Sequence, residues 1–445
     1  MFRFQSAENF ILAVAALAST VTSLSSPGCQ EAAPPQITLH DVQTVTLDVP
    51  GTPWGIGYAA QTDRAFVTLT GLSTNGSIQF GNGTLGVLDT SLFPPTLSHQ
   101  IPLPQAFQRV GKGGVAVAGI AQLAISPNGR CIFVAADQGA IILDAALAIA
   151  NSPKAVIGTL NGTTSSNSPG AQAVQVTLPP DSKYVIISQE HGNGSAANIS
   201  LMTPGNLNVF KLHHTGQSTG SPLGSLNLGY NVAGTAISPN GRHLYVTSER
   251  YTAAGIRLST SIPCSELVPG FFSVIDLHEL ERTPAEARHL DVPAGYAPVR
   301  VRLSHHGKVI WVLSRESNAL EAYDAAKIHS CLSSSSDARN NASDALIATV
   351  QVGNAPVDFI FVRNETRIVT ADSDRFNYTG SSTGLTVVDV EMALEGNTNG
   401  SRSVLGRVPT YEFPRAMALS PDGQTMLVTQ YDSGKIQAVD VRTLP

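Results

Sequence analysis

The sequence predicts an all-β protein, a seven-bladed β-propeller whose N-terminal strand closes the last blade. Three observations carry this. A strand-turn-strand unit recurs seven times, and a third strand follows each unit, ending on Asp in six of the copies. The last copy lacks the fourth strand that the others have, while an unpartnered strand stands at the opposite end of the chain.

The clearest units are Ala236-Ile237-Ser238-Pro239-Asn240-Gly241-Arg242-His243-Leu244-Tyr245-Val246-Thr247 and Ala418-Leu419-Ser420-Pro421-Asp422-Gly423-Gln424-Thr425-Met426-Leu427-Val428-Thr429. Pro presets φ and Gly accepts the left-handed position, so one apolar strand enters the turn and a second leaves it. The other copies turn at Gln61-Thr62-Asp63, Ser126-Pro127-Asn128-Gly129, Leu178-Pro179-Pro180-Asp181, Ser304-His305-His306-Gly307 and Val362-Arg363-Asn364-Glu365. Third strands end on Asp89, Asp144, Asp276, Asp324, Asp389 and Asp440, and only the third copy, Asn208-Val209-Phe210-Lys211, departs. These carboxylates are expected to cap the next turn, not to catalyse.

Fourth strands follow at segments such as His289-Leu290-Asp291-Val292 and Leu346-Ile347-Ala348-Thr349-Val350, but the last copy stops at Val441-Arg442-Thr443-Leu444-Pro445. Val42-Gln43-Thr44-Val45-Thr46-Leu47 reads as the missing outer strand. Residues 42–445 then form one closed ring, which protects all but short outer sheet edges. Residues 26–41 are an N-terminal extension.

Residues 1–25 read as a secretory leader, with Arg3, an apolar stretch from Phe10 to Ala18, small residues through Ser26, and cleavage expected between Ala18 and Ser25. The stretch is too short to span a bilayer, and no apolar C-terminal tail signals a lipid anchor. Nine glycosylation sequons, at Asn75, Asn82, Asn161, Asn193, Asn198, Asn341, Asn364, Asn377 and Asn399, fall mostly in inter-strand loops. Together they predict a secreted, extracellular eukaryotic glycoprotein. The four cysteines, Cys29, Cys131, Cys264 and Cys331, permit two disulfides in an oxidising compartment. Cys264–Cys331, in insertions of adjacent blades, is the favoured pair, and Cys131 reads equally as a buried thiol opening an apolar strand.

Charged residues make up 13% of the chain and the net charge is −6, which argues against a nucleic-acid surface. No Cys/His spacing resembles a zinc site. No cofactor and no membrane span are expected, and the chain is expected to be a monomer. Gly216-Gln217-Ser218-Thr219-Gly220 and Gly380-Ser381-Ser382-Thr383-Gly384 match G-x-S-x-G but sit in loops, whereas a nucleophile elbow joins a strand to a helix. Gly81-Asn82-Gly83-Thr84-Leu85-Gly86 leads into a strand, not the helix a dinucleotide requires. The pairs His213-His214 and His305-His306 point to opposite faces of an extended chain.

Aligning the copies places Thr70, Asp137, Gln189, Glu249, Arg315, Asp372 and Tyr431 at one channel mouth, with Glu190, His191, Arg250 and Asp374 nearby. On the innermost strands, small residues (Gly55, Ala173, Gly234, Ala416) give way to Arg300 and Arg302 in the fifth copy and to Asp358 in the sixth. Residues two apart share a strand face, so these groups should converge near the axis. They form either an inter-blade ion pair, since buried charges are normally paired, or a site for an anionic ligand, since Arg forks match carboxylates.

The pattern resembles the YVTN-type β-propeller repeat, which Tyr245-Val246-Thr247 and Ser248 nearly spell, over essentially all of residues 42–445. It is similar to the secreted fungal lactonase-like propellers. That resemblance implies a hydrolase or isomerase in which Arg300, Arg302 and Arg415 hold a carboxylate or oxyanion and Glu190, His191 or Glu249 acts as general acid or base. The binding set is then Arg300, Arg302, Asp358, Arg315, Asp372, Arg415 and Tyr431, and the ligand a small anionic or carbonyl-containing molecule. The alternative is a non-catalytic scaffold for an extracellular protein, glycan or cell wall.

Overall fold

A computed structural model describes residues 37–445 except 61, 71, 75–76, 80–82, 105–107, 111–115, 119, 137–138, 162–172, 191–202, 214–218, 251–267, 333–341, 343, 376–382 and 396–401. Seven antiparallel four-stranded sheets form the blades of a propeller, each a meander in chain order. Blades 1 to 6 span residues 52–102, 120–160, 173–227, 230–293, 298–351 and 356–409; blade 7 comprises 414–440 and the strand Thr44–Asp48. First strands of consecutive blades touch around the ring, and Thr52–Tyr58 against Pro414–Leu419 completes it.

The hairpin turns form as their residues dictate. Gly129, Gly241, Gly307 and Gly423 take φ of 70°, 69°, 65° and 72°, and the serine that opens three of these turns fastens them. Ser126 Oγ donates to Asn128 Oδ1 at 2.7 Å and accepts from the Cys131 amide at 2.9 Å. Ser238 and Ser420 do the same with Asn240 and Asp422. The terminal aspartates cap, as expected: Asp144, Asp276 and Asp389 accept the amides of Leu147, Glu279 and Met392. What they cap was not foreseen. Short helices follow them, Ala145–Ile149, Leu277–Arg282 and Val390–Glu395, and Ala325–Leu332 follows Asp324.

Blades are joined by hydroxyl groups buried near the axis. Each first strand carries a bulge that frees a backbone amide. Thr68 Oγ1 accepts the freed Gly55 amide at 2.8 Å and donates to Ala121 O in the next blade at 2.7 Å. Ser188 repeats this with Gln175 and Ala233, and Thr429 with Ala416 and Trp54. Each hydroxyl thus satisfies a buried amide and ties two blades together.

Thr44–Asp48 pairs with Lys435–Asp440 from Thr44↔Val439 to Asp48↔Lys435, so the N-terminal strand does close the last blade. The preceding segment also belongs to the sheet system. Thr38 bridges Arg407 in parallel, Leu39 donates to Arg407 O and the Arg407 amide donates to Ile37 O. Gly406 permits this approach: it has φ of 147°, and a Cβ there would lie 2.7 Å from Ile37 O.

Blades 4 and 5 are latched by histidines. His243 and His329 stack at 4.3 Å, and Tyr245 Oη lies 2.6 Å from His329 Nε2. Burial, then the neighbouring His329 and Arg242, lowers His243 from 6.5 to about 4, with Asp276 opposing. An unfolded chain takes up this proton first, so stability should be full above pH 6.5 and fall as pH drops towards about 4. Thermal melts across that window should show the slope, and His243→Phe should flatten it.

Cys331 is buried on the helix Ala325–Leu332, while Cys29 and Cys264 lie outside the described residues, as does the segment 1–25 expected to be a leader. Among the sequons, Asn161 and Asn364 are described and exposed; the other seven lie outside.

Candidate functional site

The register corrects two of the repeat alignments. Thr70, Glu249, Arg315 and Tyr431 each stand two residues past an equivalent strand position, held by Thr68, Thr247, Leu313 and Thr429. In blades 3 and 6 the same count reaches Glu190 and Ser373, not Gln189 and Asp372. A one-residue slip turns a side chain to the other sheet face. Asp372 is therefore buried inside blade 6, accepting from Thr370 Oγ1 at 2.7 Å, Thr386 Oγ1 at 2.6 Å and Arg407 at 3.4 Å. Gln189 is likewise fully buried. On the first strands, the equivalent of Gly55, Gly234 and Arg300 is Gln175, two residues beyond Ala173.

That inner position holds a polar network across the axis. Arg300 Nε donates to Asp358 Oδ1 at 3.2 Å and Nη1 to Gln175 Oε1 at 3.1 Å. To reach blade 3 from blade 5 the guanidinium passes blade 4 where Gly234 stands, and a Cβ there would lie 2.7 Å from Arg300 Cα. Arg302 Nη2 donates to the same Asp358 oxygen at 3.2 Å, and Nε to Phe359 O. Asp358 Oδ2 accepts the Met417 amide at 3.1 Å. One carboxylate serves two guanidinium groups. Side-chain exposure is 11% for Arg300, 3% for Asp358 and 38% for Arg302.

Arg302 faces a basin of about 510 Å³ bounded by the far halves of the first strands and by Pro127. Its walls are apolar at Ile125, Leu178, Leu303 and Phe361, and polar at Gln122, Gln175 and Thr177. This combination of apolar wall and few convergent polar groups is the usual make-up of a small-molecule site.

The other end of the axis carries a separate cluster. Arg315 grips Glu249 through two bonds of 2.9 Å, Asn231 donates to Glu249 at 3.1 Å, and Arg250 grips Glu316 at 3.0 and 3.1 Å with both side chains 1% exposed. Burial pushes the Glu249 carboxyl up, but Arg315 and Arg250 outweigh it and hold the group below its ordinary range. A carboxylate so held is a weak proton acceptor near neutral pH. Glu190 is partly exposed, and His191 lies outside the described residues. The Arg415 guanidinium carbon sits over the Trp54 ring, 3.6 Å from its centroid, with Tyr431 at 5.0 Å and Phe413 at 5.2 Å. Arg375 stands 5.7 Å from Phe413.

No family model and no curated protein matches the chain. Among solved structures, a chain in "Crystal Structure of Mitotic Checkpoint Complex" superposes with a TM-score of 0.56 at 11% identity, covering 93% of this chain and 97% of that one. The likeness is one of fold. It is shared by 1139 solved chains, and a fold so widely used carries no single chemistry. The resemblance to YVTN-type and lactonase-like propellers rests on the sequence alone.

The site thus divides in two. Arg300, Arg302 and Asp358 meet at the basin, whereas Glu249, Arg315, Arg415 and Tyr431 gather at the opposite mouth. Sequence reading missed Gln175, Glu316, Arg375 and two of the three rings around Arg415, Trp54 and Phe413, having named only Tyr431. One signal was present: Trp54 and Arg415 occupy the repeat position held elsewhere by Ala121, Val174, Ala233, Val299 and Val357. Among the described residues no group of three or more His, Cys, Asp or Glu is placed to hold a metal ion.

Proposed function

We propose that the protein binds a small anionic molecule in the basin, with Arg302 as its principal contact. The observation that carries this reading is the charge imbalance at the basin floor, where Arg300 and Arg302 share one Asp358 oxygen and Arg302 keeps 38% of its side chain exposed. A fork with spare donors recognises carboxylate or phosphate. A scaffold that only presented loops to a protein or glycan would need no such charge inside the ring. Turnover by Glu249 is disfavoured by its ion pair. The leader-like residues 1–25 and the nine sequons favour activity outside the cell, a reading that an unglycosylated protein retained in the cytosol with residues 1–25 intact would overturn.

Aliphatic di- and tricarboxylates and inorganic phosphate, screened by thermal shift, should include a stabilising ligand, because binding to the folded state alone raises the melting temperature. Arg302→Met should lose that shift while melting close to the parent. If no member of the panel stabilises the protein, or if Arg302→Met responds as the parent does, the basin does not bind anions.

A further inference from the structure

Arg415 stands on the innermost strand of blade 7, at the mouth, with no carboxylate to meet it. Among the described residues its guanidinium makes no hydrogen bond or ion pair, and its buried Nε is unsatisfied. Every other guanidinium of the axial cluster has a stated acceptor or further contacts: Arg250 has Glu316, Arg315 has Glu249, and Arg300 and Arg302 have Asp358. Burial, with Arg375 and Arg300 adding to it, pushes Arg415 down to about 9 against the opposing pull of Tyr431 and Glu190. A largely desolvated cation without a counter-charge is costly to keep, and the three rings around it only partly offset that cost through cation-π attraction.

The surroundings are built and reachable. Phe413 adopts φ of 55°, a conformation uncommon for a bulky aromatic residue, and this turns its ring towards both Arg415 and Arg375. Trp54 and Tyr431 meet edge to face at 5.4 Å. Arg415 is partly exposed and Arg375 is exposed. With its Cζ only 3.6 Å from the Trp54 centroid, the Arg415 guanidinium has no room to stand upright on the ring, so it stacks on the indole and its in-plane N–H groups are directed along that face. An acceptor that takes two of them lies in that plane, as a carboxylate does in a bidentate pair. A ligand whose body is coplanar with its carboxylate continues the layer between the aromatic walls.

From this geometry we infer a second ligand site, with Arg415 as its anion-binding group and Trp54, Phe413 and Tyr431 as its walls, that takes a planar conjugated carboxylate. The site is independent of the basin, since it uses the opposite mouth and none of Arg300, Arg302 or Asp358.

Benzoate is the probe and cyclohexanecarboxylate, of like size but not planar, the control. Trp54 and Trp311 are the only two tryptophans, and Trp311 is fully buried in blade 5, so a saturable change in indole emission reports the site while calorimetry gives the affinity. Arg415→Met should lower benzoate affinity by about tenfold or more, the usual worth of a charge-assisted contact, without lowering the melting temperature. Arg302→Met should leave it unchanged. Cyclohexanecarboxylate should bind about tenfold more weakly than benzoate. If Arg415→Met fails to fold, Arg415→Lys serves in its place, keeping the charge but losing the flat stack and the fork. Absent saturable binding, equal affinity in the Arg415 variant, or loss in Arg302→Met instead would each overturn the assignment, as would equal binding of the two acids.

Discussion

A protein lacking residues 1–48 should no longer unfold in one cooperative step and should aggregate. Thr44–Asp48 is the outer strand of blade 7, and its removal bares the full edge of Lys435–Asp440, which then templates pairing with other chains. The loss reaches further than one ladder. Leu47 packs against a cluster that joins Leu427, Ile436 and Ala438 of blade 7 to Val67 and Leu88 of blade 1, so the interface that completes the ring weakens too. Calorimetry and gel filtration read the outcome. A truncated protein that stays monomeric and melts like the parent would mean that this strand is dispensable.

Asp358→Ala should be among the most damaging single substitutions in the chain. The carboxylate is 2% exposed and accepts four donors: Arg300, Arg302 and the amides of Phe359 and Met417. Its loss leaves the buried Arg300 guanidinium without a counter-charge and the Met417 amide without its acceptor, at a cost of about 3–5 kcal/mol. Arg302→Met should cost about 1 kcal/mol or less, because its head group is more than a third exposed and Asp358 keeps Arg300. The contrast in melting temperature is the test. Equal losses in the two variants would make Arg302 structural and remove it from ligand binding.

The ring was legible because its signals are local. A Ser-Pro-Asn-Gly turn specifies its own left-handed glycine, and Asp144 or Asp276 specifies its own cap. Even the closing strand could be inferred, since a missing outer strand at one end matched a spare one at the other. Counting along strands failed where a bulge intervenes. The extra residue in blade 3's first strand separates Ala173 from Gln175, and the strand-end count in blade 6 landed on Asp372 instead of Ser373. The helices after Asp144 and Asp389 are too short to show a 3.6-residue period. The cage around Arg415 was hidden for another reason. Trp54 is near the start of the chain and Phe413 and Tyr431 near its end, and only closure of the ring sets blade 1 beside blade 7.

Closure also sets an order of events. Thr44–Asp48 is synthesised before the other blade strands, yet it pairs with the propeller's final strand, Lys435–Asp440. Early blades can collapse on the hairpins they contain, since those contacts are short-range. The final blade has to wait for a contact that spans nearly the whole chain. Until then the growing polypeptide carries two unmatched edges, one at each end of an open arc, and is most vulnerable to pairing with its neighbours. The ring is therefore completed only once Lys435–Asp440 has been made.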